Sequence, residues 1–377
     1  MTNSSQVSMY EDRQIRLLAI LQSSGLEALV LNPGPSMAYL TGLNFHLMER
    51  PVVVIIRPAT PLALILPGLE VGKTRTLPYP IQIFPYSDNP VTWPDAFQKA
   101  VQATGLNGCR VGVEVTRFRF LEFQYLQAAA PQAQFTHDQG CLAAIRIQKD
   151  KNEIAAMRKA VDIAQEALQA TLPLVKIGMT ETELAGGLTL QLLRAGSQPE
   201  MPFAPIVASG PNSANPHSIP SERKLASGDL LILDWGATYQ GYISDLTRTF
   251  VVGQPNPELE RIAQIVQDAN TAGRKTARPG IPAGDIDRAA RSVIDQAGLG
   301  EFFIHRTGHG IGLEAHEDPY IYAENTLLLA PGMTFTVEPG IYLPDRGGVR
   351  IEDNVLITEQ GSESLSDLPR ELIVLAN

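Results

Sequence analysis

Apolar and polar positions along this chain repeat in two rhythms, one helical and one alternating. Residues 10–24 place Ile15, Leu17, Leu18, Ile20 and Leu21 on a helical period that stops at Gly25, which predicts an amphipathic helix with a glycine end. Residues 26–31 predict a strand, Asn32-Pro33-Gly34-Pro35 a turn, and residues 36–40 a short helix. Strand patterns follow at 52–56, 62–66, 81–84 and 110–115, interleaved with helical patterns at 70–76, 93–104 and 118–129. That alternation predicts an α/β domain over residues 1–140, leaving 141–377 as a second domain.

The second stretch opens with two capping boxes. Asp150 stands three residues before Glu153, and Thr180 three before Glu183, so each pair predicts a helix start. Helices are expected to about residue 172 and to the stop at Gly196. A weak repeat follows: Gly178 and Gly196 recur as Gly280 and Gly298, each about 102 residues later. Residues 152–196 and 256–298 therefore read as two similar helix pairs, and a site at the seam of two such halves is expected. Residues 230–233, 241–245, 334–338 and 349–352 read as strands.

Composition changes this picture little. With 44% hydrophobic and 19% charged residues, the 377-residue chain has the make-up of an ordinary globular protein of about two domains. A net charge of −10 argues against nucleic acid or an anionic membrane as partner. Two cysteines, Cys109 and Cys141, make no disulfide framework. The opening residues lack a basic region followed by an apolar core, so a cytoplasmic protein is the expectation. Asn3-Ser4-Ser5 fits a glycosylation acceptor pattern, which carries no meaning without a secretory leader. The apolar stretch 51–69 is interrupted by Arg57, Pro58 and Pro61 and reads as two strands rather than a membrane span.

Candidate chemistry concentrates between residues 234 and 352. Asp234, Asp245, His309, Glu338 and Glu352 each stand in an apolar or glycine-bearing frame. Carboxylates and an imidazole suit Mn²⁺, Co²⁺, Zn²⁺ or Fe²⁺ and rule out a purely thiolate site. Converging acids without a cation repel, by on the order of 4 kcal/mol per pair at about 4 Å in an effective dielectric near 20. A pair of divalent ions removes that repulsion and can ready a water for attack on a carbonyl.

These residues resemble the metallopeptidase clan with the "pita-bread" fold, which includes Xaa-Pro dipeptidase (prolidase), aminopeptidase P and methionine aminopeptidase. The frames D-x-G, S-D-x-T-R-T, G-H-G-I-G, H-E-x-P, V-E-P-G and R-I-E-D carry the resemblance, with ligand intervals of 11, 64, 29 and 14 residues. The segment NPGPSMAYLTGLNF is similar to the N-terminal domain of the creatinase/prolidase group. The fold class implied is α+β: a pita-bread catalytic domain after a smaller α/β domain that covers a partner's active site or helps form a homodimer. Two divalent ions are implied, Mn²⁺ foremost, with Asp234 terminal on one, His309 and Glu338 on the other, and Asp245 and Glu352 bridging. The activity implied is hydrolysis of Xaa-Pro bonds in short proline-containing peptides.

His217 ends a Gly/Pro/Asn/Ser loop and matches the family's S-G-x-N-x-x-x-P-H pattern, although Ser218 stands where relatives often carry an aromatic. It is expected to bind substrate and stabilise the oxyanion, His316 to orient substrate or shuttle a proton, and Glu338 to handle the nucleophile's proton. Arg350 is expected to bind a substrate carboxylate, with an ion pair to the acids as its alternative. Thr247 and Thr336 are expected to hydrogen-bond ligating carboxylates, and His305 to support the site from behind. The glycines around His309 are expected to let backbone approach the metal. Aminopeptidase P is the nearest rival reading. A metal-free binding protein on the same fold is the alternative of a different class.

Overall fold

The structure is a computed structural model and describes residues 4–254 and 256–375, so Asn3 of the acceptor pattern lies outside it. The chain divides into two units, Met1–Arg146 and Ile147–Asn377. The helix Cys141–Arg146 therefore falls with the first unit, although the sequence placed residue 141 in the second.

In the first unit a six-stranded sheet runs Ile81–Tyr86, Leu62–Pro67, Val53–Ile56, Ala28–Leu31, Arg110–Val113, Gln134–His137. Its centre is apolar on both faces: Ala28–Leu31 and Val53–Ile56 are wholly buried. Helix Trp93–Thr104 covers one face with Phe97, Ala100 and Val101 and ends at left-handed Gly105. The edge strand Gln134–His137 was not expected. It offers four residues with no fully buried position, so burial leaves no alternation to read.

The second unit repeats one plan twice. Helices Lys151–Thr171 and Glu181–Ala195 precede strands Ile206–Ser209, Leu230–Trp235 and Leu246–Val252. Helices Pro257–Thr276 and Gly284–Gln296 precede strands Gly308–Gly310, Thr334–Val337 and Asp353–Thr358. Both capping boxes form, on Asp150 with Glu153 and on Thr180 with Glu183. Such a cap contributes about 1 kcal/mol. The first half builds a four-stranded sheet closed by Ile373–Leu375, and the second a five-stranded sheet. An antiparallel bridge between Thr247 and Glu352 ties them together. The helices pack against the sheets through separate clusters, one around Leu188, Leu233 and Trp235, another around Val266, Ile294 and Ile351. The repeat noticed in the sequence is thus a repeat of structure.

Candidate metal centre and active site

All five ligand candidates line one cavity of about 530 Å³ in the second unit. The first half supplies Asp234 and Asp245, the second His309, Glu338 and Glu352.

Local backbone explains each placement. Asp234 sits in the buried strand Leu230–Trp235, opposite Thr247. Asp245 follows the hairpin whose turn is Gln240-Gly241, both at positive φ. The Asn354 amide then grips Asp245 twice, accepting from its N–H at 3.1 Å and donating to its carbonyl at 2.6 Å. Glu338 directly follows Thr334–Val337, and its N–H donates to the Thr307 carbonyl at 2.7 Å. Glu352 lies between strands Gly347–Arg350 and Asp353–Thr358, its N–H on the Thr247 carbonyl at 3.0 Å. Buried Asn270 donates to the carbonyls of Val337 and Ile351, so one amide positions the residues preceding both glutamates.

His309 occupies the strand Gly308–Gly310. A Cβ at Gly308 would lie 1.9 Å from the Thr336 carbonyl oxygen, and one at Gly310 2.3 Å from the Asp318 carbonyl. These glycines let the strand fit between its neighbours.

The donor atoms converge. Asp245, His309 and Glu352 each bring one ligand atom to within 4.8 Å of the others. His309 Nε2 lies 3.2 Å from Glu338 Oε1 and 3.7 Å from Asp245 Oδ2. Its Nδ1 donates to the Gly310 carbonyl at 3.1 Å, which fixes the ring and turns Nε2 toward the carboxylates. Asp234 takes Arg350 Nη2 on Oδ2 at 2.6 Å, while its Oδ1 is buried and has no hydrogen-bond partner among the described residues. That orphaned carboxylate oxygen lacks a positive partner. The donor set fits a divalent cation of hard or borderline character.

Electrostatics agree. Burial, followed by the charges of Glu352, Asp234 and Glu338, holds the Asp245 carboxyl well above its ordinary range. Burial, followed by Glu338 and Asp234, does the same to Glu352. Asp234 is raised by burial against the pull of Arg350. Glu338 goes the other way: burial opposes its charge, but the hydrogen bond and charge of His309, with His305 and Arg350, bring it down to about 2.

The supporting contacts expected from the sequence are present. Thr247 Oγ1 donates to Glu352 Oε2 at 2.6 Å. Thr336 Oγ1 donates to Glu338 Oε1 and accepts from the His309 N–H, both at 3.1 Å. His305 Nε2 meets the Tyr342 hydroxyl at 2.8 Å, and Arg350 Nη1 donates to that hydroxyl at 2.9 Å. Burial pushes the Tyr342 hydroxyl up to about 12 despite Arg350 and lowers His305. Arg350 also donates from Nε to Thr247 Oγ1 and from Nη1 to the Pro216 carbonyl. A single Nη2 hydrogen is left uncommitted, so the ion-pair role set beside substrate binding is the arrangement observed.

His217 and His316 both line the cavity and are exposed. The His316 ring stands edge-on to His309, centroids 4.1 Å apart, and partial burial followed by the His309 charge pushes it down to about 4. The His217 loop hangs on Glu181, which sequence reasoning read only as part of a helix start. Fully buried, Glu181 accepts from the N–H and hydroxyl of Ser209, from the Asn212 amide, and from the N–H and hydroxyl of Ser221. Behind Glu352, Asp353 is held well below the carboxylate range although burial opposes this, because Arg248 and Arg370 bind it. Arg248 also donates to the carbonyls of Thr247 and Glu352, which explains the arginine of the T-R-T frame.

Comparison with known proteins agrees with this geometry. Residues 155–359 match Metallopeptidase family M24, and residues 13–148 match the Creatinase/Prolidase N-terminal domain. An Xaa-Pro dipeptidase of Pyrococcus horikoshii is 34% identical over 360 residues, covering 95% of this chain and 97% of its own. The crystal structure of a prolidase from Thermococcus sibiricus superposes with a TM-score of 0.92 at 36% identity, covering 97% of this chain and 99% of that one. An X-Pro aminopeptidase from Thermotoga maritima superposes at 0.83 with 31% identity, covering 96% and 99%. The second unit is therefore a pita-bread domain, the α+β architecture expected. The chain belongs to metallopeptidase family M24, an enzyme family that uses divalent metal, and carries the creatinase/prolidase N-terminal domain.

Proposed function

We propose that this chain is a two-metal Xaa-Pro dipeptidase, working as a cytoplasmic homodimer with Mn²⁺ as its metal. Asp234, Asp245, His309, Glu338 and Glu352 would hold the ions. The observation that carries this reading is the orphaned Asp234 oxygen in the same cavity as a His309 Nε2 that faces Glu338 and Asp245. Relatives named as Xaa-Pro dipeptidase and prolidase, matching 95% and 97% of the chain, support the substrate class.

When bound, the metal pair supplies Lewis acidity and a water of lowered pKa. The chain's own residues do the rest. Glu338 accepts the proton of the attacking water. His217 approaches from its loop and donates to the oxygen of the scissile carbonyl as negative charge develops there. His316 orients the substrate and returns the proton to the departing proline nitrogen. Arg350 positions Asp234 through the Nη2 contact. Because proline lacks an amide N–H, its bond is recognised by shape and by the centre itself.

The test is exhaustive chelation, then reconstitution with Mn²⁺ or Co²⁺, assayed on an Xaa-Pro dipeptide beside an Xaa-Pro tripeptide. Activity should vanish and return, with the dipeptide preferred. Preference for the tripeptide would turn the reading toward aminopeptidase P. Full activity at zero measured metal overturns it, and a chain that neither binds metal nor cleaves peptide is the metal-free binding protein.

A further inference from the structure

Charge around Asp353 does not balance. Its carboxylate, fully buried next to Glu352, meets three guanidinium groups. Arg248 Nη2 lies 2.8 Å from Oδ1, while Arg370 Nε and Arg274 Nε lie 2.7 and 3.4 Å from Oδ2. Arg248 is fully committed, because the carbonyls of Thr247, Glu352, Leu368 and Pro369 take its remaining donors. Arg370 and Arg274 are not, and their side chains are 19% and 22% exposed. Arg370 gives Nε and Nη2 to Asp353, Ser364 and Ser366, which leaves Nη1 without a partner among the described residues. Arg274 gives Nε to Asn270 Oδ1 at 2.7 Å, and among the described residues neither of its Nη atoms is engaged. Burial lowers the Arg274 guanidinium from its ordinary value; Asp353 opposes this, and the charges of Arg370 and Arg248 add to it.

Glu363 does not close the deficit. It stands between Ser362 and Ser364, whose hydroxyls meet the Arg274 carbonyl and Arg370. Strand alternation turns Glu363 to the other face, where Arg158 takes its two oxygens at 2.6 and 2.7 Å. Two neighbouring guanidinium groups thus keep open N–H edges at the surface. Such edges match a tetrahedral oxyanion, which accepts parallel N–H bonds.

We propose that Arg274 and Arg370 form a binding site for a phosphate-class oxyanion, and that filling it tightens metal binding. The link is short. Asn270, held by Arg274, donates to the carbonyls of Val337 and Ile351, which precede Glu338 and Glu352. Uncompensated positive charge beside Glu352 opposes a divalent cation, and an anion on the guanidinium edges cancels it. By linkage, metal tightens the anion by the same factor. The site stands apart from the Xaa-Pro reading; only its effect on metal rests on the five ligand candidates.

Sulfate and phosphate would be titrated at constant ionic strength into the full chain and its Arg274→Gln and Arg274→Lys variants, with Tm read against chloride. Mn²⁺ affinity would be measured with and without sulfate, the weaker metal ligand of the two. The parent should gain Tm saturably with both oxyanions. Arg274→Gln should weaken that response about 10–100-fold, and Arg274→Lys should recover part of it. Saturating sulfate should tighten Mn²⁺ binding about 5-fold or more in the parent and leave it unchanged in Arg274→Gln. A parent whose Tm follows ionic strength alone, or an Arg274→Gln variant that responds like the parent, overturns the site. A saturable gain in Tm with no change in Mn²⁺ affinity overturns the link to metal. A chain that binds both ions as described and cleaves no Xaa-Pro peptide supports the anion site and overturns the Xaa-Pro reading, so the two fail separately.

Discussion

Thr247 shows how finely single side chains set this centre. Its hydroxyl hydrogen goes to Glu352 Oε2, and its lone pair takes Arg350 Nε. Thr247→Val keeps the shape and removes both functions. Loss of such a supporting contact lowers metal affinity about 10–100-fold, and the unpaired buried Arg350 Nε costs about 1–3 kcal/mol. Competition titration against a chelating dye, beside a melting curve, should show both losses. Equal metal affinity in parent and variant would mean that Thr247 serves packing alone. The five ligand candidates were legible in sequence because four acids beside apolar runs and a histidine between two glycines are conspicuous. Arg274 and Tyr342 were not. What distinguishes them is which neighbours already occupy their donors, and no local pattern encodes that. Arg350 was legible as important, but its ion pair with Asp234 joins residues 116 positions apart.

At the scale of elements, helix starts were the most readable features, since Asp150 with Glu153 and Thr180 with Glu183 declare themselves within four residues. Strand Gln134–His137 and helix Cys141–Arg146 escaped because, at four and six residues, neither runs beyond about two periods, too few to set a pattern apart from chance. Glu181 belongs to this scale as well. One carboxylate holds Ser209 at one end of the His217 loop and Ser221 at the other. Glu181→Gln puts an amide NH₂ against these donors and should loosen both ends. The expected result is a fall in kcat of about 10-fold or more, with metal affinity unchanged, because no ligand candidate lies in that loop. Glu181→Asp, which retains the charge on a shorter stem, should recover part of the rate. A variant that loses metal binding and rate together would place Glu181 in the general fabric of the unit. Gly308→Ala probes the other half. Its Cβ meets the Thr336 carbonyl oxygen at 1.9 Å, and the strand carrying His309 must shift at a cost of about 1–3 kcal/mol. Melting curves with and without metal should both move down.

For the molecule as a whole, the two halves of the second unit each bring acids to one seam, and the proton balance of the metal-free protein follows. Asp245 and Glu352 are held well above their ordinary values of 3.8 and 4.5, first by burial and then by neighbouring acids. The folded metal-free protein therefore binds more protons than the unfolded chain once pH exceeds those values. Linkage then gives the sign: stability contributed by the protonated acids is full below the ordinary values and is lost as pH rises toward the raised ones. A bound cation reverses this by favouring the charged carboxylates, so metal uptake releases protons. The reporter is available, because the two tryptophans are Trp93 in the first unit and fully buried Trp235 beside Asp234 in the second. In a Trp93→Phe background, fluorescence melting follows the second unit alone. From about pH 5 to about pH 8 the metal-free Tm should fall while the metal-loaded Tm holds. Asp245→Asn with Glu352→Gln should flatten the metal-free curve, since neither side chain can then lose a proton. Parallel curves with and without metal would show that these acids carry no excess protons, and that the repulsion is relieved by movement of the strands instead.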